Sequence, residues 1–128
     1  MLYSIFIYIS LILIPLTMIC FGLYFRHGGP KKINPAFGYR TSRSMKNEDT
    51  WRFAHQHCGK IWFRWGILLL IITSVFYFYR LITSSPADLS EDKIVIAQVI
   101  VLILSILPTE LALRKTFDRQ GNRKHHSI

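Results

Sequence analysis

The chain has 128 residues, of which 51% are apolar and 18% charged, with sixteen Lys and Arg against seven Asp and Glu. That much apolar content excludes a disordered chain, and three charge-poor runs that together fill about half the sequence exclude a soluble single-domain enzyme. The +9 balance would point to nucleic acid in a soluble protein, but the cytoplasmic loops of membrane proteins collect Lys and Arg for their own reason, so no direct nucleic-acid contact is expected.

A bilayer core about 30 Å thick takes about 20 helical residues. Met1 to Phe25 carries no charge and meets that length unaided. No Lys or Arg precedes this run, it is too long for the apolar core of a signal peptide, and Phe21-Gly-Leu-Tyr-Phe25 offers no small-residue cleavage site, so it reads as an uncleaved anchor. Pro15 predicts a kink inside it. His27-Gly-Gly-Pro30 then ends the helix.

The segment that follows reads as an ordered loop, because it mixes turn residues (Asn34-Pro35, Gly38) with large ones (Phe37, Tyr39). Ser44 and Asn47 are candidate caps of a second helix, with Glu48 and Asp49 favourably placed in its first turn. Trp51, Ala54, Cys58, Ile61, Trp62 and Trp65 recur every three or four residues and form one helical face. With no breaker but Gly59, this helix is predicted to run directly into the second span, Trp62 and Trp65 sitting at an aromatic belt. The second span reaches full length only by including Arg64, and the third only by including Glu110. Thr83 to Ser90 reads as a polar turn, with Ser90, Glu91 and Asp92 opening the third helix.

The chain therefore reads as one all-α integral membrane domain over 1–128, with three transmembrane helices. The boundaries are a first span at about 2–25, a basic cytoplasmic loop and short helix over 26–60, and a second span at about 61–80. An outer loop over 81–92, a third span at about 93–113 and a cytoplasmic tail over 114–128 complete it. Basic, acidic and basic segments alternate in that order, so the N-terminus is expected outside and the C-terminus inside.

Arg64 and Glu110 lie at similar depth on antiparallel spans, and an intramembrane charge needs a named partner. The pair Arg64–Glu110 is expected, with Arg40 the other candidate partner of Glu110. Cys20 and Cys58 define no disulfide framework. His55 and His57 point to nearly opposite sides of a helix, and His55 with Cys58 leaves a zinc site incomplete, so no metal is expected. His125 and His126 read as solvated tail. No nucleophile–base set, paired carboxylates or phosphate-cradling loop is legible, so neither enzyme activity nor a cofactor is expected.

Asn34, the block Gly38-Tyr39-Arg40-Thr41, Ser44, Trp51 and Ala54, followed directly by a membrane helix, resemble the signature of the SdpI family. The tail Arg114-Lys115-x-Phe117-Asp118-x-x-Gly121 is similar to that family's ending, and the likeness covers roughly residues 30 to 124. These are bacterial membrane proteins named for immunity to a sporulation-delaying toxin peptide. Larger members carry further helices ahead of this unit, so the chain resembles a minimal stand-alone member. The resemblance implies a protein of the bacterial cytoplasmic membrane that protects the cell against a membrane-active peptide, by binding it or shielding its target. Its partners would be the lipid bilayer and a toxin peptide. The residues also allow an adaptor whose basic inner face recruits a cytoplasmic regulator, or a small transporter or enzyme subunit using Glu110. Arg40 and its neighbours read equally as a recognition loop and as internal packing.

Overall fold

The computed structural model describes residues 2–83 and 91–124. The expected polar turn with its Ser90 start, and the two tail histidines, lie outside the described residues. Among the described residues three helical segments are long and apolar enough to cross a membrane, and the chain is a multi-pass membrane protein.

Helix α1 runs Leu2–Arg26. It ends where Gly28 and Gly29 return their N–H groups to the carbonyls of Phe25 and Tyr24. Helix α2 runs Glu48–Thr83 in one piece of 36 residues, about 54 Å long at 1.5 Å per residue. That is much longer than a bilayer core, and Glu48, Asp49, Arg52 and Lys60, four of its six charged residues, fall before Ile61. The part before Ile61 is length in excess of what an apolar span needs. Helices α3, Glu91–Leu104, and α4, Ile106–Thr116, form one span interrupted only at Ser105. Pro108 explains the interruption: it has no N–H to give the carbonyl of Leu104, four residues back.

Helices α1 and α2 cross on glycines. A Cβ on Gly22 would lie 2.6 Å from the backbone nitrogen of Phe63, and one on Gly59 would overlap the backbone of Arg26. Without a hydrophobic drive between helices in lipid, such close backbone approach supplies the packing.

Pro15 removes the donor that would bond the Leu11 carbonyl. Buried Gln98 replaces it: its Nε2 donates to Leu11 O at 2.9 Å and to Thr73 Oγ1 at 3.1 Å. One side chain thus ties all three spans together and satisfies the carbonyl left without a donor by Pro15.

Large apolar side chains on the mid-span faces, such as Leu68, Ile72, Val75 and Ile103, are exposed, as lipid-facing surface should be. The buried cluster sits instead at the end of the bundle where α1 stops and α2 starts. There Phe25, Tyr39, Ala54, Cys58, Leu113 and Phe117 pack together, with Phe21, Phe53 and Trp62 against them. This is the loop end of the molecule.

A candidate recognition loop clamped at the loop end

The loop is built by its own polar side chains. Asn34 Oδ1 accepts the N–H groups of Ala36 at 3.0 Å and Phe37 at 2.7 Å, which turns the chain. Gly38 follows with φ +117°, and a Cβ there would lie 2.6 Å from His55 Nε2 and 3.1 Å from the Trp51 ring. The loop can therefore lie directly on α2 only with glycine at this position.

His55 holds it there. The Tyr39 N–H donates to His55 Nε2 at 2.9 Å, so the ring's proton sits on Nδ1, which donates to the carbonyl of Trp51 at 2.8 Å. Both ring nitrogens are used, the side chain is fully buried, and burial holds its pKa below the ordinary histidine value, against the opposing Trp51 carbonyl. Trp51 is itself anchored by its Nε1, which donates to Pro30 O at 2.7 Å. Ser44 completes the clamp: its Oγ donates to Tyr39 O and accepts the Thr41 N–H, each at 2.9 Å. The cap of α2 is Asn47, whose Oδ1 accepts the Thr50 N–H at 2.9 Å while Thr50 Oγ1 accepts the Asn47 N–H at 3.0 Å. Ser44 fastens the loop and does not cap the helix.

Tyr39 turns inward. Its hydroxyl donates to Glu110 Oε1 at 2.7 Å, and burial together with the carboxylate raises its pKa. This corrects the expected Arg64–Glu110 pair: among the described residues no ion pair reaches Glu110. Arg64 is exposed. It lies two residues from buried Gly66, and that spacing places it on nearly the opposite face of α2. Arg40 is not the partner either. It is exposed, and its Nε donates to Asn34 O at 3.0 Å.

Two further bonds join the third span to α2 beside Tyr39. His57 Nδ1 meets Thr109 Oγ1 at 3.0 Å, and Trp62 Nε1 donates to Ser105 Oγ at 2.9 Å. Cys58 lies between these helices with no exposed surface, and burial pushes its thiol pKa up to about 12.

The tail folds back on the cap. Phe117 is buried against Phe53, Asn47 Nδ2 donates to Gly121 O at 2.7 Å, and Asp118 Oδ1 accepts the N–H groups of Gln120 and Asn122 at 2.9 Å. Arg123 forks onto Asp49 with both contacts at 2.9 Å. Arg114 and Lys115 remain exposed. Thus Asn34, Gly38, Tyr39, Arg40, Thr41, Ser44 and Trp51 come together in one structure, which Phe117, Asp118 and Gly121 close from the other side. Arg64 stands apart. The sequence reading missed the role of His55, although its place four residues after Trp51, beside Ala54 and Cys58, marks it as buried.

Between the loop, α1, α2 and α4 lies an open cleft of about 450 Å³, walled by Phe21, Phe25, Phe37, Tyr39 and Trp62, with Arg40 on its lining.

A double-mutant cycle tests the corrected partner. Tyr39→Phe and Glu110→Ala should couple by about 1 kcal/mol in unfolding from detergent micelles, while Arg64→Gln and Glu110→Ala should add independently. Coupling of Arg64, with none for Tyr39, would reverse the assignment.

A model described as the SdpI/YfhL protein family matches residues 31–110, well over half of the chain. The match covers the loop, all of α2 and the third span as far as Glu110. No curated protein and no solved structure is matched.

Proposed function

This chain belongs to the SdpI/YfhL protein family, and on that premise we propose that it is a non-enzymatic immunity protein of the bacterial cytoplasmic membrane, protecting the cell against a membrane-active toxin peptide. The loop and the C-terminal tail face the cytoplasm and the N-terminus faces outward, in line with the basic character of residues 26–60 and 114–128. The bundle binds the peptide within the bilayer or shields the target that the peptide needs.

The observation that carries this reading is the signature block itself. Its residues are not scattered packing positions but one clamped loop, held by His55, Trp51 and Ser44, that presents Arg40 to the outside. A fold that needed only a positive charge at this place would not need that construction. The exposed Lys31, Lys32 and Lys46 around the loop support a second reading, in which the same face recruits an acidic cytoplasmic regulator when the bundle is occupied.

Arg40→Lys keeps the charge but removes the planar guanidinium, whose Nε bonds Asn34 O. Survival of cells under toxin challenge should fall to that of cells lacking the protein, with expression unchanged. Arg43→Lys, outside the Gly-Tyr-Arg-Thr block, should protect like the unaltered chain. Full protection by Arg40→Lys would reduce Arg40 to a topology charge.

A further inference from the structure

The Arg40 guanidinium is only partly engaged. Its Nε is committed to Asn34 O, which fixes the direction of the fork, while its two terminal nitrogens have no partner among the described residues. A fixed, exposed fork of this kind suits a phosphate. The rest of the cleft is mostly apolar: Phe25, Phe37 and Trp62 form the walls near the loop, Ile106 lies beside Tyr39 and Trp62, and Thr17 marks the far end along α1. Phe25 and Thr17 are eight residues apart on α1, so the cleft runs for about 12 Å along the helix axis, the direction in which a lipid chain lies. Among the described residues no carboxylate lines it.

We propose that this cleft binds one anionic phospholipid of the leaflet at the loop end, with its phosphate on the Arg40 fork and one acyl chain along the aromatic wall. A zwitterionic lipid carries the same phosphate, but its own cation offsets the charge; the fork therefore selects the anionic headgroup. This goes beyond toxin protection and is read in purified protein without any toxin, so the two ideas fail separately.

The test is native mass spectrometry of the full chain released from detergent, titrated with phosphatidylglycerol and with phosphatidylcholine of identical chains. The expected result is one retained phosphatidylglycerol, bound about tenfold more tightly than phosphatidylcholine, a preference that Arg40→Gln abolishes and Arg43→Gln leaves intact. Thr17→Trp fills the far end while leaving Arg40 in place, and should weaken phosphatidylglycerol binding several-fold. Thr17 and Arg40 are both exposed, and far- and near-ultraviolet circular dichroism of each variant checks that the fold is kept. Equal retention of the two lipids, or a preference that survives Arg40→Gln, would overturn the proposal. So would displacement of phosphatidylglycerol, at equal concentration, by an apolar peptide with a free C-terminal carboxylate.

Discussion

Trp51→Ala should destabilise the folded protein by about 3–5 kcal/mol, the range for removing a buried tryptophan. Trp51 is 1% exposed, and its loss acts in three places. It removes the ring that packs, tilted, against His55 at 4.3 Å between centroids. It leaves Pro30 O without the indole N–H that ties the end of α1 to α2. It also opens space beneath Gly38, whose backbone rests against the Trp51 ring. The cavity cannot close readily, because the backbone around it is pinned at Tyr39, Ser44 and Asn47. Unfolding followed by near-ultraviolet circular dichroism in micelles measures the loss. A change below about 1 kcal/mol would mean that the loop is not seated on this ring.

Gly38→Ala is the smallest possible change with the next largest effect. A residue with a side chain at positive φ carries a strain of about 1–3 kcal/mol, and here the added methyl would also meet His55 Nε2 at 2.6 Å. The loop must lift, and lifting breaks the Tyr39 N–H bond to His55 and draws the Tyr39 hydroxyl away from Glu110. The expected outcome is a chain that still inserts its three spans but is destabilised by about 2–4 kcal/mol. Protease cleavage within residues 30–46 should rise by at least tenfold. A Gly38→Ala chain as resistant as the unaltered one would show that the loop tolerates a different path.

The spans were legible because long charge-free runs have no other economical explanation in a chain this size. The loop was legible as ordered because Asn34, Pro35 and Gly38 are turn formers set among Phe37 and Tyr39. The ion pair was misread for a definite reason: depth along the helices matched Arg64 to Glu110, but helical phase puts Arg64 on the exposed face, and a tyrosine hydroxyl satisfies the carboxylate instead. Gln98 escaped notice because it is uncharged; its meaning appears only with the Leu11 carbonyl that Pro15 frees. The closure by Asn47, Gly121, Asp49 and Arg123 joins residues some 74 positions apart, which no local pattern records.

Survival under challenge tests the central claim most directly. Cells with and without this protein would be exposed to a panel of membrane-active toxin peptides, with Gly38→Ala at matched expression beside them. Protection against at least one peptide by the unaltered chain, and its loss in Gly38→Ala, is the predicted result. Equal killing of all three strains by every peptide, or full protection by Gly38→Ala with its loop opened to protease, would contradict the account.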